Sequence, residues 1–138
     1  MEKEQKNKDD SGRKAEYEFL IDEEGILNMK VPEPMTEQAT YDAIIKLKDI
    51  LRNMKGRKRI LTDLRVKSFI TNSKFRKRVA EMIKDINDNP ETKTEKSAVW
   101  GASTVIRTIG NFVLGASGSS DTTKMFETKE EALKWLRK

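Results

Sequence analysis

The sequence predicts an α/β protein in the order β-β-α-β-α-β-α-β-α, with a mostly parallel sheet, an antiparallel N-terminal hairpin and helices packed on the sheet. Two observations support this class. Short apolar segments alternate with longer segments whose apolar residues recur every three or four positions. After the first two strands every pair of strands is separated by a helix, which is the arrangement that parallel strands require. We expect one domain over residues 17–138, preceded by a disordered, charge-mixed tail over residues 1–16.

The domain begins with a predicted hairpin. Residues 17–21 and 25–31 are short apolar segments, and the turn-forming residues 22–25 separate them. Two prolines follow and end the second strand, because proline cannot donate to a ladder. Thr36 is a suitable N-cap for the first helix, which extends to Met54.

Three elements follow in the middle of the chain. A strand is predicted over residues 59–64, and a loop over 65–72 leads into a second helix that begins at Ser73. This helix ends before Pro90. The next strand, residues 97–102, consists mostly of small residues.

The C-terminal part contains two more helices and one strand. Ser103 can cap the third helix, whose apolar residues are expected to point inward: Val105, Ile106, Ile109, Phe112 and Val113. Gly115 is the predicted left-handed residue at its end. Residues 115–123 have the composition of a flexible loop and lead to a strand over 124–126. Thr128 and Glu131 have the spacing of a capping box at the start of the last helix.

Composition excludes several classes of function. The chain has 138 residues, no cysteine and no histidine, so thiol nucleophiles, zinc thiolate sites and the usual general base are absent. We therefore predict no enzyme, no catalytic residue, no cofactor and no metal site. The longest apolar runs are far too short to span a bilayer, and no signal peptide precedes the domain, so a cytoplasmic protein is expected.

The element order and two motifs resemble the SpoIIAA-like family of the STAS domain superfamily. The first motif is RILTDLRVKSFITNSKF (59–75), a hydrophobic strand ending in Asp, followed by a loop into a helix. The second is FETKEEALKWL (126–136), typical of the family's last strand and helix. The resemblance implies a non-enzymatic regulatory or ligand-binding domain, and binding of lipid-like or small apolar ligands has been proposed for this branch.

One position of the resemblance concerns a phospho-switch. Ser73 matches the serine that is phosphorylated in related anti-sigma-factor antagonists, although the flanking Asp and Gly of their motif are missing here. Phosphate at a helix N-terminus is stabilised by free amides and by neighbouring bases. Ser73 is therefore either a phosphorylation site or simply an N-cap.

Two other regions are candidates for binding. Ligands of open α/β sheets bind at the carboxyl ends of the strands. The candidate cleft there comprises Asp63, Arg65, Trp100, Ser103 and Thr104. Two basic clusters could form a positive surface if they share one face: Arg52, Lys55, Arg57, Lys58 and Arg59 in the first, and Lys74, Arg76, Lys77 and Arg78 in the second.

These regions define the functional hypotheses. The leading one is a STAS-like domain that binds a lipid-like or apolar molecule, or a protein partner. The alternatives are electrostatic binding to nucleic acid or to an anionic membrane surface through residues 52–59 and 74–78, and the switch at Ser73. Among partners, peripheral contact with an anionic membrane and a homodimer stay open, and nucleic acid is disfavoured because few aromatic residues accompany the bases.

Overall fold

A computed structural model describes residues 16–69 and 71–138, and within them five strands and four helices follow the predicted order. The predicted disordered tail, apart from Glu16, lies outside the described residues. The elements are β1 (Glu18–Ile21), β2 (Leu27–Lys30), α1 (Glu37–Asn53), β3 (Arg59–Asp63), α2 (Ser73–Asp88), β4 (Lys96–Trp100), α3 (Thr104–Ser117), β5 (Thr123–Phe126) and α4 (Lys129–Leu136).

The strands form one sheet in the order β1-β2-β3-β4-β5. β1 and β2 pair antiparallel, and the other three pairs are parallel. The hairpin turn is held by Asp22, whose carboxylate accepts hydrogen bonds from the amides of Glu24 and Ile26. The α/β class with a mostly parallel sheet and an antiparallel hairpin is thus confirmed.

Helices cover both faces of the sheet. α1 and α2 pack on the face that carries Leu27 and Ile60, and α3 lies beside α2 on that same face. α4 packs on the opposite face against Leu61 and Ala98. Since α4 has only eight residues, it leaves the β1–β2 half of its face uncovered.

Most of the predicted caps are present. The Thr36 hydroxyl accepts from the Ala39 amide, and the capping box at Thr128 is complete. The cap of α2 differs from the prediction. Asn72 is the N-cap and its side chain accepts from the Phe75 amide at 2.8 Å, so Ser73 is the first helical residue. The N-cap interpretation of Ser73 is therefore wrong.

The end of α3 also differs from the prediction. The helix continues past Gly115 to Ser117, and Gly118 is the left-handed residue, with φ 73°. Ser117 and Ser119 are buried and hydrogen-bond to each other, and Asn87 of α2 donates to Ser119. The flexible loop predicted over residues 115–123 is wrong at its start, because these hydroxyls have buried partners.

The inward face of α3 is narrower than predicted. Val105 and Phe112 were expected to be buried, but they are 62% and 60% exposed. Ile106, the next residue along the helix and about 100° around it from Val105, is buried in the core instead. Apolar residues occur nearly all around this helix, so they cannot all share one buried stripe. In the described part of the chain, no helix has the length and apolarity of a membrane span.

Candidate functional site

An apolar cavity of about 250 Å³ lies between the sheet and the three helices α1, α2 and α3. Its walls include Ile44 and Leu47 of α1, Val79 of α2 and Val113 of α3. Protein interiors are normally packed as densely as organic crystals, with few voids larger than a water molecule. A space of this size is therefore a feature of the fold that needs an occupant or an explanation.

Short side chains on three adjacent strands form part of the floor of this cavity. Thr62 of β3, Ser97 of β4 and Thr123 of β5 all line it. Ser97 pairs with Thr123 across β4 and β5, so these residues point to the same face of the sheet. These short side chains leave space beneath the helices, although Ile60, Val99 and Met125 of the same strands also line the floor.

The lining of the cavity contains no charged side chain. Tyr17 reaches it and shares a hydrogen bond of 2.9 Å with Thr40. Burial raises the pKa of Tyr17 to about 12, against the opposing effect of that hydrogen bond, so the phenol stays neutral. The cavity thus offers apolar walls and a few neutral hydroxyl and amide groups.

A second concave site lies on the other face of the sheet. It is an open groove of about 350 Å³ beside the N-terminus of α4, and Asp63, Arg65 and Trp100 line it together with Leu20. The structure therefore brings together three of the five residues of the predicted cleft. The remaining two do not line it: Ser103 caps α3 by accepting from the Ile106 amide, and Thr104 is exposed.

The three groove residues form one connected unit. The Arg65 guanidinium donates two hydrogen bonds to the Asp63 carboxylate, at 2.8 and 3.0 Å, and its carbon lies 4.4 Å from the centre of the Trp100 ring. Gly101 makes room for this arrangement, since a Cβ there would lie 2.4 Å from Cγ of Arg65. Partial burial works to raise the pKa of Asp63, but the hydrogen bonds from Arg65 outweigh it and hold the pKa below its usual value.

Ser73 is exposed on the first turn of α2 and has Lys74, Arg76 and Lys77 nearby in sequence. The Arg76 guanidinium donates to the Thr71 hydroxyl at 3.0 Å. Nothing in this geometry assigns a phosphate to Ser73, so the phospho-switch stays a prediction.

The two basic clusters lie at opposite ends of the sheet. The first precedes the N-terminal end of β3, whereas the second occupies the start of α2, which follows the carboxyl end of β3. Arg57 is paired with Glu95, and Arg59 donates to the backbone carbonyl of Glu24 at 2.8 Å. Within residues 16–69 and 71–138, the clusters therefore form no shared positive face, and much of the first is engaged with carboxylates and carbonyls.

The fold and the cavity define an α/β domain with an apolar interior site. The chain belongs to the family described as domain of unknown function DUF7793, whose model matches residues 19–138. A search of the curated proteins found no match. A search of the solved structures found none either.

The cavity residues were missed by the sequence analysis, which placed the candidate cleft at the strand ends. The signal that could have indicated them is the run of small residues in β4, noted there only as a property of the strand. That run could not be interpreted alone, because strand order and register decide that Ser97 lies beside Thr123 and on the same face of the sheet as Thr62.

Proposed function

We propose that this chain is a non-catalytic domain that binds a small, uncharged, apolar molecule in the cavity between the sheet and α1–α3. The observation that carries the proposal is the cavity itself, about 250 Å³ in volume and lined without a single charged side chain.

The volume of the cavity suits a ligand that has either more than one ring or a short alkyl chain. An engineered apolar cavity of about 150 Å³ stays free of water and binds benzene. The present cavity is larger, and its walls are aliphatic and aromatic side chains such as Ile44, Phe75 and Val99. Filling it would restore the dispersion contacts that the lining side chains lack.

The polarity of the lining supports a neutral ligand. Moving a charge from water into an apolar site without a partner is very costly, and the lining offers none of opposite sign. One or two polar groups of the ligand could be satisfied by hydroxyls on the floor, those of Thr62, Ser97 and Thr123. We therefore expect an apolar compound with at most a few neutral hydrogen-bonding groups.

We also propose a distant relationship to the STAS superfamily and its SpoIIAA-like branch. Three features support it: the N-terminal hairpin, the strict alternation that follows, and a last helix opposite the other three. A regulatory role through ligand-dependent binding of a protein partner is consistent with that relationship.

Titration with indole tests the binding proposal. Indole is neutral and bicyclic, and indole-3-acetate is a matched ligand that carries a carboxylate. By calorimetry and methyl NMR, we expect indole to bind in the millimolar range or tighter and to shift the signals of Ile44, Val79 and Val113. We expect indole-3-acetate to bind at least tenfold more weakly. Absence of indole binding, or equal binding of both compounds, would contradict the proposal.

A further inference from the structure

We propose that the outer surface where α2 meets α3 docks on an anionic lipid bilayer. This surface, the α2–α3 seam, comprises Val105, Ile109 and Phe112 of α3 and Arg76 and Lys77 of α2. The inference goes beyond ligand binding in the cavity and does not depend on it.

The apolar half of the seam faces solvent. Val105 and Phe112 are 62% and 60% exposed, and Ile109 between them is half-buried and also lines the cavity on its inner side. Their spacing of four and then three residues places them on one side of the helix. Large apolar side chains exposed together in this way mark an interaction surface more often than single ones do.

The charged half of the seam is basic. The start of α2 carries Lys74, Arg76, Lys77 and Arg78 with no acidic residue, and α3 has Arg107 and no acidic residue. The Arg76 guanidinium lies 5.8 Å from the centre of the Phe112 ring, so the basic and apolar halves are contiguous. Among the described residues, no carboxylate forms an ion pair with Lys74 or Lys77.

The charge of the seam argues against a second copy of this chain as the occupant. A two-fold interface buries the same patch on both subunits, so it would bring together two basic patches that supply no carboxylate to each other. An anionic bilayer instead offers phosphates to the bases and an apolar phase to Phe112 and Val105. Protruding side chains on a convex helix need no matching pocket there, whereas anchors in a protein interface do.

The structure also indicates which basic residues can contact a bilayer. The first basic cluster is engaged, since Arg57 pairs with Glu95 and Arg52 lies near Glu91. It lies at the other end of the sheet from the seam. The seam combines basic groups with exposed apolar side chains, and Arg76 lies within reach of the Phe112 ring.

Vesicle co-sedimentation of the full chain tests this inference. We expect binding to vesicles of phosphatidylcholine mixed with phosphatidylglycerol, and much weaker binding to pure phosphatidylcholine. Each basic residue near such a surface contributes about a fivefold change in affinity. The double variant Arg76→Glu/Lys77→Glu should therefore lose binding at least twentyfold, and Phe112→Ser should reduce it several-fold.

Two matched variants serve as controls. Ile45→Ser removes an apolar side chain that is 62% exposed on α1, and Lys55→Glu reverses a base of the first cluster. Both should bind like the unmodified chain, and circular dichroism should show all variants folded. The inference would be overturned if the chain bound neutral and anionic vesicles equally or bound neither. It would also be overturned if the control variants lost as much vesicle binding as the seam variants. A dimer that Phe112→Ser dissociates would assign the seam to a second copy and overturn it as well.

Discussion

The substitution Ser97→Val tests whether the space beneath α3 is an empty cavity or a well-packed core. Ser97 points from β4 into the space beneath α3, and its hydroxyl forms no hydrogen bond to the described residues. Valine adds apolar volume to this floor position without removing an interaction. It also suits a strand better than serine does, because its β-branched side chain packs well on a pleated surface.

The expected gain follows from the added apolar groups. Each buried methyl or methylene group contributes about 0.8 kcal/mol, and valine offers one to two more than serine. We therefore expect the free energy of unfolding to rise by about 1 kcal/mol. For a domain of this size, that corresponds to an increase in Tm of roughly 3–5 °C.

The neighbouring residue provides the matched control. Ala98 points to the opposite face, is fully buried, and packs beneath α4 against Leu136. Valine there has no space to fill, and overpacking a well-packed core costs about 1–3 kcal/mol. The two valine substitutions, at adjacent positions of one strand, should therefore change the free energy of unfolding in opposite directions.

Urea denaturation followed by circular dichroism measures both effects. We expect the midpoint to rise for Ser97→Val and to fall for Ala98→Val, with the slope of the transition unchanged. Ser97→Val should also weaken indole binding, since it occupies part of the site. Destabilisation by Ser97→Val of the same size as by Ala98→Val would refute the reasoning, because it would mean that the space is already filled.

Two further predictions concern the start of α2 and the groove. Asn72→Ala should destabilise the protein by about 1 kcal/mol in urea denaturation, whereas Ser73→Ala should have almost no effect; the reverse would restore Ser73 as the cap. In a Trp135→Phe background, acidification should change the fluorescence of Trp100 only below about pH 4, because the pKa of Asp63 is lowered. Protonation of Asp63 releases Arg65, whose guanidinium lies on the Trp100 ring. A transition near neutral pH would contradict this coupling.

Local signals in the sequence were sufficient for most of the fold. The polar side chains at Thr36 and Thr128 are N-caps because their oxygens accept from helix amides within three residues. Such interactions are encoded within one turn of chain, so spacing alone predicts them. The prediction that Ser73 is an N-cap failed because Asn72 beside it is an equally good cap by residue type. Only the geometry of the chain decides between these two neighbours.

The candidate sites depend on contacts between distant segments. Asp63 and Trp100 meet because parallel strands of a sheet end at one edge, and this could be predicted. The cavity requires Thr62, Ser97 and Thr123 to lie on the same face of three neighbouring strands, which follows from strand order and register rather than from composition. The exposure of Phe112 could not be predicted either, since α3 is apolar nearly all around and its buried side depends on its neighbours.

A crystal structure of the protein soaked with indole tests the central claim most directly. The account predicts density for the ring system between the sheet and α1–α3, in contact with Ile44, Val99 and Val113. The account would be contradicted by indole bound only on Trp100, in the groove of the opposite face. A fully packed core with no space beneath α3 would contradict it as well.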